Sequence, residues 1–225
     1  MSSVESWQGT PLHESVAKAL YKRNERLLRE DYNQAAIKAK IESLPSKRRA
    51  RLRAVPKVID SIPGMVVLRA EMIGQGKRTE LTILGAERFS EESGRSSWKG
   101  FSIHYGPRNM GTSQVELPVI ITQHAVERTM QRLGITKPRE ALRMLAPAVI
   151  CALWLRKPPR KGRRLLPATG GAVVAVRDSD YGDFWTFVTF VDQNKLDRGE
   201  QHKELLRVRE EVSALLGRDL TDLGL

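Results

Sequence analysis

Three side chains in the stretch ITQHAVERTMQRLGI, residues 121–135, have types and spacing suited to phosphate chemistry: His124, Arg128 and Arg132. A helix turns by about 100° per residue, so with His124 at zero Arg128 falls near 40° and Arg132 near 80°. Val126, Met130 and Leu133 then gather on the other side, where they can pack. Helical side chains lean toward the N-terminus, so both guanidiniums reach back toward the ring, although Arg132 starts about 12 Å up the axis. Thr122 stands where an N-cap belongs, which puts His124 in the first turn, where free N–H groups and the positive dipole end attract an anion. An imidazole held there beside Arg128 is suited to accept a proton as a general base. The plainer alternative is a solvated face, since Glu127 and Gln131 share it.

Two basic runs add to this helix. In KRRARLRAVPK, Lys47, Arg48, Arg49, Arg51 and Arg53 crowd together before Pro56, which is expected to stop any helix. In LRKPPRKGRR, Arg156, Lys157, Arg160, Lys161, Arg163 and Arg164 lie in a segment that two prolines keep extended. Arg48, Arg49, Arg51, Arg163 and Arg164 are the candidate contacts to flanking phosphates, with solvation as the alternative. A formal charge of +12 and a pI of about 10.1 favour a polyanionic partner, nucleic acid before membrane surface. Cys151 is the single cysteine, which excludes an intrachain disulfide and a cysteine-built zinc site and suits a reducing compartment. No apolar run reaches the roughly eighteen residues a membrane helix needs, and MSSVESWQGTPLHESV lacks the order of a secretory signal. A soluble, cytoplasmic protein is expected.

Helices and a sheet must position these groups. Apolar residues at Val16, Leu20, Leu27, Ile37, Ile41 and Leu44 predict one long or two short amphipathic helices between His13 and Leu44. Residues 65–84 predict two strands around a Gly74–Lys77 turn, and Trp98 to Tyr105 a third. The stretches SEESGRSS and GPRNMGTSQ read as surface loops, the second a candidate boundary near residue 113 between regions 1–113 and 114–225. An extended piece from Val115 to Thr122 leads into the His124 helix. A second helix opens at Thr136 with Pro138 in its first turn and ends or kinks at Pro147. Residues 172–176 and 184–191 predict a hairpin, and Leu205, Val208, Val212 and Leu215 a last amphipathic helix closed by Gly217. The fold class that follows is α+β: an antiparallel sheet with flanking helices, a long N-terminal helix and a C-terminal helix.

The string His124, Ala125, Arg128, Arg132, Gly134 and Ile135, followed by a helix and a terminal hairpin, resembles the barnase, EndoU, colicin and RelE superfamily of ribonuclease toxins. The similarity covers residues 119–197, about a third of the chain. It implies metal-independent cleavage of RNA, with His124 as the acid/base group and Arg128 and Arg132 holding the scissile phosphate. Such relatives also carry a polar residue late in the last strand; Thr189 matches best and Thr186 competes. Alternating strand side chains would put these two on opposite faces. The relatives place glycine directly after the second arginine, whereas Leu133 intervenes here.

On that resemblance, His124 removes the proton of a ribose 2′-hydroxyl, the oxygen attacks the adjacent phosphorus, and a 2′,3′-cyclic phosphate forms. The expected function is therefore an endoribonuclease, toxin-like or phage-type, with no cofactor and with RNA or other nucleic acid as partner, joined by an immunity or host protein. A non-catalytic, basic nucleic-acid-binding protein (a regulator or a virion-associated factor) and an inhibitor of a host enzyme are the alternatives. Of the remaining candidates, His104 at a strand end reads as structural, His13 and His202 as exposed, Cys151 as a buried small hydrophobe and Trp185 as core.

Overall fold

The computed structural model describes residues 10–28, 40, 43–75, 78–90, 96–106, 113–155, 162–178, 184–196 and 199–217. Seven strands form one sheet: β1 (Met65–Ile73), β2 (Glu80–Ser90), β3 (Ser96–Tyr105), β4 (Ser113–Thr122), β5 (Arg163–Ala168), β6 (Gly171–Asp178) and β7 (Phe184–Asp192). The order is β1-β2-β3-β4-β7-β6-β5, antiparallel throughout except for the parallel pair β4 and β7. Helices α1 (Glu14–Leu28), α2 (Arg48–Asp60), α3 (Gln123–Leu133), α4 (Pro138–Met144), α5 (Ala146–Leu155) and α6 (Glu200–Leu216) flank it. The protein is thus α+β with a mostly antiparallel sheet. Residue 113 opens β4, which joins β3 on one side to β7 on the other, so a single sheet runs across that position.

One face of the sheet carries the larger core. Val66, Ala86, Trp98, Val119, Ile121, Leu166, Val173, Ala175, Trp185 and Phe187 meet α1, α3, α4 and α5 there. Tyr21 from α1 is buried in this core and its hydroxyl accepts a bond from Trp98 Nε1 at 3.2 Å. On the other face α2 covers β1 to β3 through Leu52, Val55 and Ile59, and a small cluster of Leu165, Val174 and Leu196 lies toward β5. Helix α6 guards the β5 edge: Glu204 accepts the Leu165 backbone N–H at 3.0 Å, and Glu211 pairs with Arg164 at 2.5 Å.

Several local expectations change in the fold. Helix α2 runs through Pro56, which sits inside it. The ring's fixed φ is compatible with a helix, and the lost bond and clash, about 3 kcal/mol, are offset by burying Leu52, Val55 and Ile59 at about 1.5–3 kcal/mol each. Lys47 occupies the α2 N-cap without a side-chain bond. The second C-terminal helix starts at Pro138 behind Lys137, not at Thr136, and the break falls at Leu145, leaving Pro147 in the first turn of α5. In α1 the buried positions are Ala17 and Tyr21, whereas Val16 is exposed: the helix turns its small and aromatic residues inward. Ile37 and Ile41 lie outside the described residues, as does the side chain of Leu27. Arg163 and Arg164, expected in an extended segment leading into the sheet, themselves open strand β5. The β6–β7 hairpin, the Trp98–Tyr105 strand and the last helix with its left-handed Gly217 cap (φ 63°) form as expected, except that Leu215, expected on the packed face with Val208 and Val212, is exposed. No helix among the described residues is long and apolar enough to cross a membrane.

Candidate functional site

Helix α3 is held at both ends by its own sequence. Thr122 Oγ1 accepts the Ala125 N–H at 3.2 Å and donates to the Phe187 carbonyl of β7 at 2.9 Å, so one hydroxyl caps the helix and ties it to the sheet. Gly134, at φ 68°, closes the other end with its N–H on the Met130 carbonyl. Ala125, Val126, Met130 and Leu133 are buried, and His124 is exposed in the first turn. Arg128 Nε points at His124 Nε2 from 3.4 Å.

The two guanidiniums then part. Arg128 Nη1 donates to Glu14 of α1 at 3.0 Å and to Gln131 at 2.6 Å, while Arg132 turns the other way to Asp192 at 3.6 Å. The Lys18 ammonium hydrogen-bonded to Glu14, at 2.8 Å, and then the Arg128 charge hold the Glu14 carboxyl below its ordinary value. A carboxylate of the chain itself therefore stands where a phosphate oxygen is expected. Glu127 is buried and accepts from Gln123 Nε2 at 2.7 Å, so it does not belong to a wet face. The hollow between α1 and α3, lined by Glu14, Lys18, His124, Glu127, Arg128 and Gln131, leaves no room even for a water molecule, so it does not enclose a nucleotide.

Thr189 is on the far side of the sheet from α3. Val174 pairs with Thr189 and Ala175 with Phe187, which leaves Val188 as an extra residue in β7. Paired residues share a face, so Thr189 points with Val174 into the small cluster near β5, while Phe187 points at α3. The bulge also puts Thr186, paired with Val176, on the same face as Thr189, against the simple alternation expected. Neither threonine meets His124. His104 is exposed, bonded to Thr82 at 3.2 Å, and Cys151 and Trp185 are fully buried.

The basic runs give a different picture. Residues 47–57 and 156–164 each hold six cations and no acid, which matches the entire formal excess of +12. In α2, Arg48 is spent on structure: its guanidinium donates to the Thr79 and Gly106 carbonyls, fastening the helix start to the ends of β2 and β3. Arg51 is half-buried beside Tyr105, whose hydroxyl burial pushes upward and the Arg51 charge pulls down. Arg49, Arg53 and Lys57, four residues apart, form an exposed line about 12 Å long. Spacing would have revealed Lys57 as its third member, but the expectation that Pro56 ends the helix hid it.

At the other end of the sheet Arg163 is exposed, while Arg164 is committed to Glu211. Arg163 shares a cross-sheet row with Val176, Thr186, Ile120 and Lys99, on the face that carries α2. Strand spacings of about 4.8 Å put the α2 line and Arg163 roughly 25 Å apart across that face. Between them Lys99 contacts Glu116 and sets its ammonium 5.7 Å from the Phe184 ring, beside a hollow of about 280 Å³. Arg156, Lys157, Arg160 and Lys161 lie outside the described residues.

Fold and surface together define an α+β protein with exposed cations from two acid-free segments, Arg49, Arg53 and Lys57 on α2 and Arg163 on β5, and with Glu87, Lys99 and Glu116 between them on the same face of the sheet. Compared with protein-family models, curated proteins and solved structures, the chain matches none.

Proposed function

We propose that this chain is a nucleic-acid-binding protein that grips the phosphate backbone along the α2 face of its sheet, using Arg49, Arg53, Lys57 and Arg163. The observation that carries this is the pairing of two acid-free basic segments with exposure: among the described residues no carboxylate pairs with these four cations. Neutralising phosphates releases counterions, so affinity rises steeply as salt falls. Fluorescence anisotropy with labelled RNA and DNA 12-mers from 50 to 200 mM salt tests it. Tight binding that weakens steeply with salt is expected; binding indifferent to salt, or none, refutes it.

A second reading, cleavage of RNA with His124 as base, has one observation in its favour: an exposed imidazole with a guanidinium 3.4 Å away. The diverging arginines and the Glu14 carboxylate weigh against it. RNA incubated with the protein in chelator decides: fragments ending in cyclic phosphate, lost in His124→Ala, would make the chain a ribonuclease.

A further inference from the structure

We infer that α2 seats in the major groove of double-stranded DNA, so that the nucleic acid taken by this protein is a DNA duplex; this rests on the binding function proposed above. Helix α2 packs on β1 and β2 through Leu52, Val55 and Ile59, and β1 is the last strand of the sheet on that side. The helix is therefore a ridge at the rim of the sheet face, with the side opposite those three residues turned outward. Both of its ends are pinned. Arg48 binds the Thr79 and Gly106 carbonyls at the start, and at the end Asp60 accepts the Val67 N–H at 3.0 Å and Arg143 at 2.6 Å.

Helical rotation fixes what the ridge presents. With Arg49 at zero, the buried Leu52, Val55 and Ile59 centre near 270°, so the crest lies at about 90°. Ala50, which is exposed, falls at about 100°, and the half-buried Ala54 at about 140°. Arg53, at about 40°, and Arg49 stand down one flank; Lys57, at about 80°, ends the crest. Lys47, one residue before the helix, opens the other flank at about 160°. The crest is thus small where cations flank it on both sides. Residues 43–59 carry no acid and no aromatic side chain.

These properties fit the groove of a duplex. A helix about 10–12 Å across enters the major groove of B-form DNA, which is about 12 Å wide and about 8.5 Å deep. Small crest residues let the helix approach the base edges, while cations on both flanks meet the phosphates of the two strands that wall the groove. Proteins that hold single strands stack bases on aromatic rings, and α2 offers none. The major groove of an RNA duplex is too deep and narrow to be read. Charge complementarity selects a polyanion as the occupant, and the shape of the ridge selects DNA in duplex form.

The test titrates wild type and Ala50→Leu by anisotropy with four ligands: a 12-base-pair DNA duplex, the same duplex carrying glucosylated 5-hydroxymethylcytosine, one of its single strands, and a 12-base-pair RNA duplex. The sugar on cytosine C5 fills the major groove and leaves the phosphates in place. Leucine at position 50 adds bulk to the crest without charge and is a strong helix former, and an unchanged unfolding temperature would show that the fold is intact. Wild type should bind the plain DNA duplex about tenfold more tightly than the other three ligands. Ala50→Leu should lose about tenfold on that duplex alone, with single-strand affinity unchanged. Equal affinity for the plain and glucosylated duplexes, single strands or RNA duplex bound as tightly as DNA duplex, or a plain-duplex affinity unmoved by Ala50→Leu would each overturn the groove placement and leave the backbone-binding function standing. Absence of binding to any of the four sinks both.

Discussion

Replacing Arg49, Arg53 and Lys57 together by glutamine gives the sharpest check on how the protein binds. These three are exposed and lie on the outer flank of α2, away from Leu52, Val55 and Ile59, so the change removes charge without opening the core. With Lys47 and Arg163 they make five exposed cations in the described parts of the two basic segments. On single strands each neutralised phosphate contributes about 0.7 to the slope of log affinity against log salt. Five contacts would cost the wild type about 100-fold in affinity between 50 and 200 mM salt; two remaining contacts would cost the variant about sevenfold. Anisotropy titrations at four salt concentrations measure both slopes, with thermal unfolding as the control for folding. A variant whose slope equals the wild type's would show that the α2 line touches no phosphate and would refute the placement of the binding surface.

The fold makes further claims of its own. A Cβ at Gly85 would overlap the Phe101 ring, which is buried, so Gly85→Ala should cost about 1–3 kcal/mol in chemical unfolding; a wild-type midpoint would mean the ring is free to move. Thr122→Ala removes both the α3 cap and the bond to Phe187, so a loss of about 2 kcal/mol, or about 4–8 °C in Tm, is expected, with Thr122→Ser nearly neutral. Burial pushes the Cys151 thiol up to about 12, so it should resist iodoacetamide in the folded protein and react on unfolding. The folded state holds that proton while the unfolded thiol gives it up, so Cys151 should make stability fall as pH rises from about 9 to 12, and Cys151→Ala should flatten that part of a pH–stability curve. The depressed Glu14 carboxyl contributes stability at neutral pH that is lost as pH falls below 4.5; Glu14→Gln should reduce the acid sensitivity of Tm, and an unchanged profile would deny the Arg128 and Lys18 contacts.

The sequence determined what short-range rules can reach. Periodicity and turn residues announced the β6–β7 hairpin, the β1–β2 pair and the last helix, and Thr122 and Gly134 marked both ends of α3, because caps and turns depend on neighbours a few residues apart. Composition likewise named the two basic segments. Only the tertiary structure decided that Glu14 reaches Arg128 across 114 positions, that Asp192 draws Arg132 away, and that one extra residue at Val188 turns Thr189 from the α3 face. It also carried α2 through Pro56, since the burial of Leu52, Val55 and Ile59 outweighs one missing hydrogen bond, and so completed the Arg49, Arg53, Lys57 line. Each of these is settled by contacts distant in the chain, whose energies no local pattern encodes.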